Sequence, residues 1–162
     1  KKVVVPLDEK ETGGSLFEKL SEAGAKLLAE TLKGLEEGSI QPEKQGDSPT
    51  AYARMLSKDM GKIDWSQEAV HIERLIRGLN PWPSAYAKLD GKTLKIWEAD
   101  VLERESGMAP GTVTEVGKES ILVQTGKGML AVRQLQLEGK KRMDAGAFLR
   151  GYSIKEGTSL CY

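Results

Sequence analysis

Several residues have types and spacings that could do chemistry. His71 is the only histidine, and Glu68 precedes it by one helical turn. Such a pair could hold a proton, but a metal or general-base site needs further converging groups, and no second histidine exists to supply one. His71 is therefore read as a structural or surface residue. Ser15 and Glu18 resemble a nucleophile and its base. The same spacing is a capping box, in which the hydroxyl accepts from the N–H three residues on and the carboxylate reaches back. Gly126-Lys127-Gly128 is too short for a phosphate cradle, which needs a longer glycine-rich loop opening onto a helix. Strand-like residues flank it, so a hairpin turn is expected. Cys161 has no neighbouring base in the sequence to make it a nucleophile. No catalytic set emerges.

What remains is cationic. Lys140-Lys141-Arg142 forms a run, with Arg133 before it, Arg150 and Lys155 after it, and Lys88, Lys92 and Lys95 on an earlier segment. Each Lys or Arg can neutralise a phosphate and release its counterions, which gives a salt-dependent and largely sequence-independent hold on nucleic acid. The plainer reading is a solvated loop. The chain carries 24 basic and 24 acidic residues, so global charge decides nothing. Clustering does, because beyond Lys127 the cations face only Glu138, Asp144 and Glu156.

Composition bounds the scaffold. At 162 residues, 39% hydrophobic and 30% charged, the chain fits one domain or a small domain with an extra element. It can bury roughly two thirds of its unfolded surface without disulfide staples. A single cysteine excludes an internal disulfide framework and a multi-cysteine metal site, and a reducing, cytoplasmic setting is expected. No apolar run is long enough to span a membrane, and no signal-peptide pattern opens the chain. The start at Lys1-Lys2-Val3, without methionine, reads as the interior of a longer protein.

The elements that would position these residues follow from periodicity. Lys1 to Leu7 is β-branched and predicts a strand. A helix follows from the Ser15 cap, with Leu16, Phe17, Leu20, Leu27, Leu28, Thr31, Leu32 and Leu35 at helical spacing and Gly38 as its stop. From Ser39 to Asp64 the pattern fades into a connector, expected to lie on its neighbours through Tyr52, Met55, Leu56, Ile63 and Trp65. A second helix runs from about Ser66 to Leu79, buried through Ala69, Ile72, Leu75, Ile76 and Leu79, and the Pro81-Trp82-Pro83 corner ends it. Strands are expected at Ala85–Leu89, Thr93–Leu102, Gly111–Val116, Ile121–Thr125 and Met129–Leu137. The last changes phase, which places a bulge near Arg133-Gln134. Tight turns between five such strands predict a small antiparallel barrel. Asp144 is placed to cap a short helix to Arg150, with Met143 and Phe148 as a staple.

Read together, these segments resemble the C-terminal part of the methionyl-tRNA formyltransferase family. The matching motifs are Gly14-Ser15-Leu16-Phe17-Glu18-Lys19-Leu20, Tyr52-Ala53, Leu56-Ser57-Lys58, Ile63-Asp64-Trp65, Asn80-Pro81-Trp82-Pro83, Pro110-Gly111-Thr112 and Gly139-Lys140-Lys141 before Met143. The resemblance implies an α+β chain. Residues 1–40 would be a strand-helix remnant of a Rossmann-like catalytic domain, 41–65 a linker, and 66–162 an antiparallel OB-like β-barrel with flanking helices. Family members transfer a formyl group from 10-formyltetrahydrofolate to the methionine amino group on initiator tRNA.

The family's catalytic asparagine, histidine and aspartate belong to motifs upstream of this sequence. The resemblance thus implies a piece that is inactive alone, binds no folate itself, and holds tRNA beside an upstream catalytic domain. The expected tRNA contacts are Lys92, Lys95, Arg133, Lys140, Lys141, Arg142, Arg150 and Lys155, chosen for charge and placement. The competing expectation is a bracing domain, using Trp65 and Trp82, in a related formyltransferase that binds no tRNA. Cations gathered on one face favour binding, and scattered ones favour bracing. On either reading the apolar face of the first helix needs cover, which predicts a homodimer, a swapped arrangement or disorder of the isolated chain.

Overall fold

A computed structural model describes residues 1–48 and 50–161. Pro49 and Tyr162, which fall in the expected linker and barrel segments, lie outside the described residues. Helix α1 spans Gly13–Glu36 and starts one turn earlier than expected. Its cap is Thr12, whose Oγ1 accepts from the Ser15 N–H (3.1 Å), while the Thr12 N–H donates to Ser15 Oγ (3.0 Å). The Ser15–Glu18 box therefore gives way to a Thr12–Ser15 box. Thr12 caps as well as serine, and starting there gains a turn of helix. Gly13 permits it by another route, since a Cβ there would strike the carbonyl of Gly78. Gly38 ends the helix with φ +69°, and the Ser39 N–H donates back to Gly34 O at 2.9 Å, a left-handed C-terminal turn.

The expected strand Lys1–Leu7 does not form. A strand needs a ladder partner, and none of the described residues supplies one; the segment lies beside α1 instead, with Lys1 Nζ 3.1 Å from Glu30 Oε2. Phe17, Leu20, Leu28, Leu32 and Leu35 remain exposed along α1. The connector also departs from expectation. Tyr52, Met55 and Leu56 are exposed rather than laid on their neighbours. Anchoring begins only after a short 3-10 turn, Lys58–Gly61, where Ile63 and Trp65 enter the core.

Helix α2 is Ala69–Gly78. It begins later than Ser66 because Asp64 takes up the preceding turn, its Oδ1 accepting from the Ser66 N–H at 3.0 Å and its Oδ2 from Gln67 Nε2 at 3.0 Å. The Ser66 hydroxyl, which donates to Asp64 Oδ1 at 2.7 Å, acts with these two bonds to hold the Asp64 carboxyl below its ordinary range. Ala69, Ile72, Ile76 and Leu79 are buried as the periodicity required. The Asn80–Pro81 and Trp82–Pro83 peptide bonds of the corner are both cis.

Six strands follow: β1 (Ala85–Leu89), β2 (Lys92–Leu102), β3 (Val113–Val116), β4 (Ile121–Gln124), β5 (Met129–Leu137) and the two-residue β6 (Met143–Asp144). They form one antiparallel sheet ordered β1-β2-β5-β4-β3, with β6 on β5. Helix α2 and a short α3 (Ala145–Leu149) pack against it, and the core fills with Ile72, Ile76, Leu94, Ile96, Leu130, Leu135 and their neighbours. The chain is α+β, but the ladder does not close into a barrel, since β1 and β3 are left as edges. The C-terminal segment reaches both. The Leu160 N–H donates to Gly111 O (2.8 Å) and the Val113 N–H to Thr158 O (2.8 Å), while Leu160 O accepts from Lys88 N (3.4 Å) and Trp65 Nε1 (3.2 Å).

The bulge expected near Arg133 is present and has a partner. Ile96 pairs with Leu135, Glu98 with Gln134 and Ala99 with Val132. Trp97 is thus extra on β2 and Arg133 extra on β5, and the register recovers beyond them. Asp144 precedes α3 but its side chain makes no capping bond. Among the described residues no helix is long and apolar enough to cross a membrane.

Candidate nucleic-acid interface

On β2, Leu94 and Ile96 point into the core, so Thr93 and Lys95 take the outer face by strand alternation. Lys95 lies opposite Gln136 of β5, and Gln136 Nε2 donates to the Lys140 carbonyl at 3.0 Å in the β5–β6 turn. Lys95 and Lys140 therefore border one patch. Lys141 and Arg142 follow on the same turn, all exposed. Lys92 opens β2 beside it, near Glu138, and Lys88 donates to Thr93 Oγ1 at 3.1 Å. Glu138 is held below the usual carboxylate range by hydrogen bonds from Thr93, with Lys88 and Lys92 adding to the effect.

Arg142 is the most constrained member. Its Nε and Nη2 both donate to Gln134 Oε1, at 2.9 and 2.6 Å. The guanidinium sits 4.8 Å from the centre of the Trp97 ring, and Lys95 Nζ lies 5.6 Å from it. The Trp97 Nε1 is buried with no hydrogen-bond partner among the described residues. Sequence reading missed Trp97, Gln134 and Gln136. The available signal was the Lys95-Ile96-Trp97 spacing, which puts the cation and the indole on one strand face.

The other expected contacts are placed differently. Arg133 Nε donates to Asp100 Oδ2 at 2.8 Å, and Lys10 Nζ is 3.7 Å from the other carboxylate oxygen. Arg133 and Arg150 line an adjoining cleft of about 630 Å³ that also holds Glu98, Asp100, Glu119 and Asp144. Its charge is mixed, and Arg150 Nη1 is turned back to the Gly146 carbonyl (3.2 Å). Lys155 lies on the C-terminal segment, where its N–H donates to Thr158 Oγ1 at 3.3 Å, and among the described residues nothing joins its side chain to the patch. Of the eight, five gather (Lys92, Lys95, Lys140, Lys141, Arg142), two sit next door among acids, and one stands apart.

His71 is exposed. Gly126-Lys127-Gly128 is the β4–β5 hairpin turn, with the Thr125 N–H donating to Gly128 O at 3.2 Å. Among the described residues no group of His, Cys, Asp and Glu could hold a metal ion.

A second site of contact ties α1 to the sheet domain. Arg77 Nη1 donates to the Glu11 carbonyl (2.7 Å), and the Gly14 N–H donates to Asn80 O (2.8 Å). The Glu11 carboxylate, itself buried, accepts from Lys19, Ser15 and the Asp8 N–H. Those bonds, the Lys19 one foremost, lower its pKa from 4.5 to about 2.

Residues 55–153 match the family model described as "Formyl transferase, C-terminal domain". A methionyl-tRNA formyltransferase from Lachnospira eligens is 54% identical over 161 residues, covering 96% of this chain and 51% of that protein. One from Agathobacter rectalis is 52% identical over 157 residues, covering 97% and 51%. The chain thus spans about half the length of these relatives. Crystal structures of HypX from Aquifex aeolicus share the fold. The one in complex with tetrahydrofolic acid has a TM-score of 0.61 and 19% identity, covering 95% of this chain and 30% of that one.

Proposed function

The chain belongs to the formyl transferase C-terminal domain family, and on that premise we propose that it is the C-terminal half of a methionyl-tRNA formyltransferase whose role is to hold initiator tRNA. In this reading the whole enzyme transfers formyl from 10-formyltetrahydrofolate to the methionine amino group in the cytoplasm. Residues 1–40 complete the catalytic domain, 41–65 are the linker, and 66–162 are an OB-like domain whose C-terminal segment stands in for barrel closure. The exposed apolar face of α1 supports this division, since it needs the upstream half to cover it. Lacking that half, two copies of the chain would pair through α1. Folate and the catalytic residues belong upstream, so the chain alone transfers no formyl group.

One observation carries the tRNA reading. Lys140, Lys141 and Arg142 are exposed and the half-buried Lys95 borders them, and none of the four makes an ion pair with a carboxylate among the described residues. Phosphates are the partner this arrangement lacks. The test is fluorescence anisotropy of the 162-residue chain with initiator tRNA across a salt series. Affinity should fall steeply with salt, and Lys140→Ala with Lys141→Ala should lower the slope by about 2. Absent binding would overturn the reading.

A second reading is favoured by the Arg77–Glu11 and Gly14–Asn80 contacts. They fix the start of α1 against the C-terminal domain, as a brace would, and a formyltransferase that binds no tRNA could use them equally well. Trp82 is exposed. The same titration decides between the two.

A further inference from the structure

We propose that the solvent-facing side of the Arg142 guanidinium, seated on the Trp97 indole, is a stacking platform for an unpaired nucleobase. The inference rests on the tRNA-binding reading and adds that the patch engages bases as well as phosphates.

Three observations carry it. The first is orientation. Two donors of Arg142 converge on a single oxygen of Gln134, and Gln134 is itself fixed in the ladder between Glu98 and Asp144. The guanidinium carbon is thereby held 4.8 Å from the centre of the Trp97 ring, while the residue stays exposed. A planar cation supported on one face leaves the other open, and bases stack on guanidinium planes as they do on aromatic rings.

The second is the choice of aromatic residue. The Trp97 Nε1 is buried with no hydrogen-bond partner among the described residues, a cost a phenyl ring would avoid. What the indole offers in exchange is the strongest π face for a cation. Alternation along β2 puts the ring on the outer face with Lys95, within 5.6 Å of Lys95 Nζ as well as 4.8 Å of the Arg142 guanidinium.

The third is contrast with the neighbouring cation. Arg133, on the other bulge, is held by Asp100, whereas Arg142 is held by a neutral amide that orients it without cancelling its charge. Lys140 and Lys141 immediately precede it and can take the flanking phosphates.

The test uses two fluorescein-labelled oligoribonucleotides of equal length and charge, one of adenylates and one of abasic ribose phosphates. Anisotropy is read with the wild-type chain, R142K and W97F. The wild-type chain should bind the adenylate probe about 5- to 100-fold more tightly. R142K keeps the charge and loses the plane, so it should show equal binding to both probes with an unchanged salt slope. Equal, measurable binding of both probes by the wild-type chain would overturn the platform and leave the phosphate reading standing. R142K retaining the preference would also overturn it. Should neither probe bind at low salt, the platform and the RNA reading fall together. If W97F does not fold, R142K, altered only at an exposed side chain, still decides.

Discussion

Trp97 and Arg133 are the two residues left over in the β2–β5 ladder, one on each strand, and between them they cancel each other's shift of register. Paired bulges let the sheet re-aim two side chains outward without displacing the core positions on either side. Ile96 and Ala99 stay buried on β2, and Val132 and Leu135 on β5. The two extra residues meet different fates. Trp97 supports Arg142, and Arg133 is engaged by Asp100.

Asp100→Asn should therefore release a cation. The Arg133–Asp100 pair is half exposed on both sides, 40% each, so its loss costs at most about 1 kcal/mol in urea unfolding. RNA affinity should rise, and the salt slope should steepen by about 1, as Arg133 becomes available to a phosphate. Unchanged affinity would mean that Arg133 lies outside the footprint.

Trp65→Phe tests the C-terminal segment. The substitution removes the Nε1 donor to Leu160 O and part of a buried ring, with an expected loss of about 1–3 kcal/mol. Hydrogen exchange at Leu160 and Val113 should accelerate more than at α2, because the lost bond belongs to the segment joining the two edges. Uniform acceleration would argue against that local role.

Glu11 predicts an acid response at the start of α1. A carboxylate with its pKa lowered from 4.5 to about 2 contributes stability that is complete above the unfolded value. That contribution is lost as pH falls through the folded one. Protection of the Ser15 and Leu16 amides, taken relative to intrinsic exchange at each pH, should fall between about pH 4.5 and pH 2, and Glu11→Gln should remove that dependence. A pH-independent wild type would show that the Lys19–Glu11 contact does not persist in solution.

Leu28→Glu with Leu32→Glu tests self-association. Both side chains are exposed, at 60% and 58%, so unfolding stability should move by no more than about 0.5 kcal/mol per site. Light scattering should find the wild-type chain dimeric and the double variant monomeric. A monomeric wild type would remove the α1 dimer.

The sheet was legible because its strands alternate with period 2 and its turns carry glycine at Gly91, Gly126 and Gly128, signals confined to neighbouring residues. The start of α1 was legible only to within a turn, because Thr12 and Ser15 are both good caps and the Asn80 carbonyl that accepts from the Gly14 N–H comes from elsewhere in the chain. Lys1–Leu7 has strand composition without a strand's partner. β6, two residues long, has no period to detect. At the candidate interface charge was visible, but pairing was not. Nothing local distinguishes Arg133, engaged by a carboxylate 33 residues away, from Arg142, held by a nearby amide. Trp97 shares the outer face with Lys95 by simple alternation, but nothing local shows that Arg142, 45 residues on, comes to lie over it.

The hydrogen bonds from Thr158 and Leu160 to both edges of the sheet also bear on the order in which the molecule is made. Chains emerge from the ribosome N-terminus first, so β1 to β5 can pair before these residues exist. Through that interval the backbone groups of Lys88, Gly111 and Val113 stand open, and bare strand edges invite pairing with other nascent chains. The sheet is sealed only when translation has passed Leu160. A stalled or truncated product ending before Gly157 would carry a nearly complete core and two adhesive borders, and is the form of this protein most prone to aggregate.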